Sequence, residues 1–220
     1  MNSPKQKVWA TRCRSNGSCR ISGTRSFFIA LLAVLVSFSP ASAAGEKLIF
    51  GYSAIAGAQA VPWITKDAGI FEKYGLDVTL IYLDGGSKAT QALISGDIPI
   101  AQIGGAAPIA ARLRGAEVVI IAGVLNLLAY SMIVSPEITR PEQLKGAKLA
   151  VSRFGSNSDY ATRKILVKWG LRPDRDVAII QIPGGQPTRL AAVQNGQVAG
   201  LVAQPPVTNL AKKMRLNIIA

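Results

Sequence analysis

Three short loops carry the residue types best suited to holding a small ligand. Gly85-Gly86-Ser87, Gly104-Gly105-Ala106 and Ser156-Asn157-Ser158 each open a stretch with helical spacing. The first N–H groups of a helix have no partner within it, so such loops offer donors that favour anions. The same residues also fit a plainer role, Ser87 and Ser158 as helix caps and the glycines as turn formers. Arg153 follows a strand-like run and directly precedes Phe154-Gly155-Ser156. A guanidinium fork there suits a sulfonate or carboxylate, and a solvated surface arginine fits the same sequence. Tyr52-Ser53, Asn126 and Gln204 also end or follow strand-like runs, where they can meet a ligand or satisfy local backbone.

Much other chemistry is excluded. The chain has no His, which removes Ser-His-Asp triads, Cys-His pairs and His-ligated metals. Its two Cys, Cys13 and Cys19, lack zinc-ligand spacing. There is no GxxxxGK loop and no GxGxxG, and the acids are scattered rather than paired. No catalytic residue, cofactor or metal site is expected.

The elements that position the loops alternate between strand and helix signals. Lys47–Ser53, Asp77–Leu83, Ile98–Ile103 and Val118–Ile121 read as strands, and Pro62–Tyr74, Ser87–Ser95 and Ala106–Arg114 as helices. The pattern restarts with strands at Ala147–Ser152, Val177–Ile182 and Val198–Val202, and helices at Ser158–Trp169 and Gln186–Asn195. Residues repeat along with elements. Lys73-Tyr74-Gly75-Leu76 matches Lys168-Trp169-Gly170-Leu171, and Asp77-Val78 through Gly85-Gly86 matches Asp176-Val177 through Gly184-Gly185. Shared βα turn chemistry explains part of this agreement. Its order and spacing favour two similar α/β lobes, with a ligand cleft where strand ends and helix starts face each other.

The N-terminus reads as an export signal. Residues 1–44 hold six basic side chains and no acid, and Phe27–Phe38 is apolar except for Ser37. Ala41-Ser42-Ala43 then fits a cleavage site. The apolar run is too short for a spanning helix, which needs about 20 residues. Cleavage would remove both Cys. Residues 45–220 keep 19 basic and 12 acidic side chains, a net +7 out of the chain's +13. This asymmetry weakens a nucleic-acid reading, and no basic stripe interleaved with aromatics supports one. A cleaved, periplasmic monomer with no nucleic-acid partner is expected.

Val61–Val78 (VPWITKDAGIFEKYGLDV) resembles the opening helix of the nitrate/taurine/sulfonate periplasmic binding proteins. That family includes relatives that bind thiamine pyrimidine precursors. Gly85–Ile103, Ala116–Gly123 and Gly184–Pro206 resemble its later motifs. The resemblance implies a type 2 periplasmic binding fold, α/β in class, that delivers a small molecule to an inner-membrane ABC transporter permease. It implies ligand contacts at the loops already named: Tyr52, Ser53, Gly86, Ser87, Gly105, Ala106, Asn126, Arg153, Ser156, Asn157 and Gln204. It also implies a first crossover near Tyr130–Val134 and a return near Leu216–Ala220. Residues 1–44 are then a signal peptide, 45–131 a first lobe, 132–215 a second lobe and 216–220 the start of the return. The family's closing C-terminal helices are expected to be missing from the first lobe, as in a gene fragment or a prematurely stopped copy. The ligand expected is a small anionic or polar organic molecule. The alternatives are a pyrimidine-precursor binding or biosynthetic protein on the same fold, or a non-functional truncated copy. The lack of His and of Cys after cleavage argues against an enzyme.

Overall fold

The computed structural model describes residues 45–220. The expected signal peptide, with Cys13 and Cys19, lies outside the described residues. Among these, no helix is long and apolar enough to cross a membrane.

The chain opens with β1 (Glu46–Tyr52), a 3-10 turn (Gly57–Gln59), α1 (Val61–Asp67), α2 (Ile70–Lys73) and β2 (Leu76–Tyr82). There follow α3 (Gly86–Ser95), β3 (Ile100–Gln102) and α4 (Ala106–Arg112). These strands form a parallel sheet in the order β2-β1-β3. Its register sets Glu46 opposite Leu76 and Tyr52 opposite Tyr82. Parallel strands need a crossover, which the helices supply.

After residue 130 come β4 (Ser131–Val134), a 3-10 turn (Pro141–Leu144), β5 (Lys148–Val151), α5 (Asn157–Lys168) and β6 (Ala178–Gln181). The order continues through α6 (Gly185–Gln194), β7 (Gly200–Ala203), α7 (Val207–Lys213) and β8 (Asn217–Ile218). The second sheet runs β6-β5-β7-β4-β8. Strands β5, β6 and β7 are parallel, whereas β4 is antiparallel to both β7 and β8.

Period-two alternation splits the second sheet's side chains between two cores. Met132, Val134, Leu149, Val151 and Val202 pack on one face with Leu166 of α5. Ile133, Ala150, Leu201 and Ala203 pack on the other with Leu190 and Val193 of α6. Strands covered on both faces read as unbroken apolar runs, as Leu149–Val151 and Leu201–Ala203 do. Full burial of each large aliphatic side chain contributes about 1.5–3 kcal/mol.

Several local expectations need correction. The helix expected over 62–74 breaks into α1 and α2, because Gly69 adopts φ +64°. Glycine enters the left-handed region without a Cβ clash, so it ends one helix and starts the next at a new angle. Val118–Ile121 forms no strand. Val119, Ile120 and Ile121 stand exposed, because a β-branched run becomes a strand only where a ladder exists, and β3 pairs with β1 alone. Ser87 is not a cap either. Gly85 caps α3 without a side-chain bond, and Ser87 lies one residue inside the helix. Ser156, not Ser158, caps α5, its Oγ accepting from the Asp159 N–H.

Candidate functional site

A cleft of about 1200 Å³ lies between the carboxyl ends of the two sets of parallel strands. The loops after β1, β2, β3, β5 and β7 line it, together with the start of α6. Open α/β sheets place ligands in this kind of crevice. The unpaired 118–128 stretch forms another wall of the cleft.

The lobes touch through direct hydrogen bonds. The Arg153 Nε donates to the Asp84 carbonyl at 3.1 Å, and the Ser87 Oγ donates to the Phe154 carbonyl at 2.8 Å. The Gly184 N–H donates to Asp84 Oδ2 at 2.8 Å, and the Ala106 N–H to Asn157 Oδ1 at 3.0 Å. The Gly57 N–H reaches the Pro205 carbonyl at 3.1 Å. Gly104 makes the Asn157 contact possible, because a Cβ there would sit 1.9 Å from Asn157 Nδ2.

Of the residues singled out from sequence, Ser53, Gly86, Gly105, Ala106, Asn126, Ser156, Asn157 and Gln204 line the cleft. Tyr52, Ser87 and Arg153 do not. The Tyr52 ring packs edge-on to Trp63 and against Tyr82, because strand alternation turns it away from the mouth. Ser87 and Arg153 are held by the lobe-to-lobe bonds above, so the Arg153 fork serves the interface rather than the cleft in this arrangement. Ser53 is fixed by Gln59, whose Oε1 accepts from the Ser53 and Ala54 N–H groups and whose Nε2 donates to Ser53 Oγ.

Three further lining residues, Ser152, Gln186 and Arg189, carry no motif in the sequence. Ser152, Ser156 and Ser158 form a buried triangle of hydroxyls with sides of 2.9–3.0 Å. Gln186 accepts from the Gln204 N–H at 2.8 Å and so ties the start of α6 to the end of β7. Arg189, on the same helix, is only 4% exposed. A sequence signal for it existed. Gln186, Arg189, Leu190 and Val193 follow the i, i+3, i+4, i+7 spacing of a buried helical face, and an arginine on such a face is out of place.

The electrostatics are set by burial. The Tyr82 phenol is pushed well above its ordinary range by burial and, next, by its hydrogen bond to Asp84 Oδ1. Burial lifts the Tyr130 phenol to about 12. Burial also pushes Arg189 downward, against the raising influence of Asp84. Both phenols are neutral at physiological pH, and Tyr82 donates its hydroxyl to Asp84. Among the described residues, no group of three His, Cys, Asp or Glu side chains converges as a metal site would require.

Solved structures share this fold. A protein of Bordetella bronchiseptica RB50 aligns at 24% identity and TM-score 0.68, over 80% of this chain and 57% of its own. The periplasmic aliphatic sulphonate binding protein SsuA of Escherichia coli aligns at 23% identity and TM-score 0.60, over 79% and 56%. The alkanesulfonate-binding protein SsuA of Xanthomonas axonopodis pv. citri, bound to MOPS, aligns at 22% identity and TM-score 0.66, over 79% and 60%. The chain thus spans little more than half the length of these relatives. No curated protein matches the sequence. The profile of the NMT1-like family matches residues 42–214. The resemblance to nitrate, taurine and sulfonate binding proteins is borne out, and so is the two-lobed α/β fold. The chain belongs to the NMT1-like family and has the periplasmic binding protein fold.

Proposed function

We propose that this chain is an extracytoplasmic solute-binding protein of an ABC importer, not an enzyme, and that it captures a small anionic or polar organic molecule between its lobes. One observation carries the reading. Loops from both sheets converge on one cleft and present hydroxyls, amides and a buried arginine, with no nucleophile–base pair among them. The sulfonate-binding relatives make sulfonates and carboxylates the first ligands to try. The basic balance of residues 45–220 supports the encounter rate of anions more than their affinity. Cleavage of residues 1–44 and delivery to an inner-membrane permease complete the proposal, with residues 45–131 and 132–215 as the two lobes.

Titration calorimetry with taurine, MOPS, benzoate, glucose and spermidine tests the ligand class. An anion is expected to bind best, and preference for the sugar or the polyamine overturns the reading. Intact mass of the periplasmic fraction is expected to show a chain that starts at Ala44 or Gly45.

A further inference from the structure

Arg189 differs from the other arginines around it. Arg163 pairs with Asp159 and Asp174, and Arg172 pairs with Asp176, each guanidinium remaining partly open to solvent. Arg189 lines the cleft, is 4% exposed and has no carboxylate within ion-pair distance among the described residues. Its Nη1 donates to the Ile182 carbonyl at 2.9 Å, while its buried Nε meets no acceptor. The acid that faces it, Asp84, has both oxygens engaged, Oδ1 by the Tyr82 hydroxyl and Oδ2 by the Gly184 N–H. The other groups facing it, Tyr82 and Tyr130, are neutral phenols.

A guanidinium cannot shed its proton to escape burial, so it needs an anion. The Ile182 carbonyl takes one end of the fork. The Nε–Nη2 edge is left, and its two parallel N–H groups match two oxygens of one carboxylate or sulfonate. The Asp84 charge nearby disfavours a second negative charge on the same ligand.

We infer that Arg189 is the counter-ion of the ligand, and that it selects organic monoanions bearing a carboxylate or sulfonate over neutral analogues and over dianions. This inference rests on the solute-binding reading above and names the residue that sets its specificity. The anion enters while the lobes are apart and is shut off from water against α6 when they meet.

The test uses the full 220-residue chain and its Arg189→Met and Arg189→Lys variants. Thermal shift and calorimetry are run with benzoate, benzenesulfonate, MOPS and taurine. Benzamide is the neutral control and phenyl phosphate the dianion. The parent is expected to bind at least one monoanion at least tenfold more tightly than benzamide or phenyl phosphate. Arg189→Met is expected to lose that affinity tenfold or more, and Arg189→Lys to keep part of it. Without ligand, Arg189→Met is expected to melt no lower than the parent, because an unpaired buried charge has been replaced by an apolar chain of similar reach. A lower melt for ligand-free Arg189→Met overturns the inference, since it marks a guanidinium satisfied within the protein. Monoanion binding that survives in Arg189→Met overturns the inference alone and leaves the solute-binding reading standing. Silence of the parent toward every probe removes both.

Discussion

Strands β1 and β5 hold the same place in their units, each between two parallel neighbours, yet their surroundings differ. Leu149, Ala150 and Val151 of β5 are fully buried, whereas Ile49 of β1 is 39% exposed. Both faces of the second sheet carry a core. The first sheet buries Val78 and Ile98 but leaves Ile64, Ile109 and Leu113 in solvent. A strand is therefore sealed by the layers laid over it and not by its place in a βα repeat. The Val118–Ile121 run shows the same point: four β-formers in a row stay out of the sheet where nothing pairs or covers them.

The contrast can be broken by substitution. Leu149→Ala is expected to cost about 2–5 kcal/mol, the range for emptying a tightly packed site. Ile120→Ser is expected to change stability by no more than about 0.5 kcal/mol and to lower binding of an apolar dye. Urea unfolding and dye fluorescence measure both. Equal destabilisation by the two substitutions would show that the first lobe has a hidden core.

Alkaline titration gives a second, smaller separation. Tyr130 packs against the second lobe's core, and its folded pKa of about 12 lies above the ordinary 10. The neutral phenol is the form that the fold favours, so its contribution is complete below pH 10 and lost as pH rises toward 12. The loss is on the order of 3 kcal/mol, from 1.36 kcal/mol per pKa unit over about two units. Tyr130→Phe is expected to flatten the alkaline limb of the melting curve. An unchanged limb would place the titrating group elsewhere.

The smallest effect concerns the interface. Asp84→Ala removes the acceptor for the Gly184 N–H across the interface, a change of about 1 kcal/mol for that hydrogen bond, and within the first lobe it also removes the acceptor of the Tyr82 hydroxyl, which costs about as much again. It is expected to loosen closure without harming either sheet. Small-angle scattering should show a larger radius of gyration, and an unchanged radius would mean that the other contacts suffice.

The order of elements was legible because Gly-Gly pairs, terminal glycines and apolar runs are local signals. Gly96, Gly170 and Gly196 end their helices in left-handed geometry as their positions suggest. The break at Gly69 was less clear, because a single glycine inside a helical pattern is often tolerated. Eight of the eleven candidate ligand residues line the cleft, since a strand end marks a loop at the mouth. The roles of Ser87 and Arg153 depended on partners 67 and 69 residues away, which local spacing does not reveal. Arg189 lay within a periodic stripe, yet its isolation from any acid is a property of the packed lobes.

Within residues 45–220 the chain passes between the sheets once, along the stretch from the end of α4 to the start of β4. Closure is therefore a binding reaction between two parts of one molecule. A short flexible tether holds its ends at an effective concentration in the millimolar range. Surfaces with millimolar affinity, too weak to associate as separate proteins, are then shut in about half of the molecules at any moment. For surfaces of that strength a ligand has only to tip an equilibrium near balance, and the length of the tether then bears on affinity alongside the side chains in the cleft.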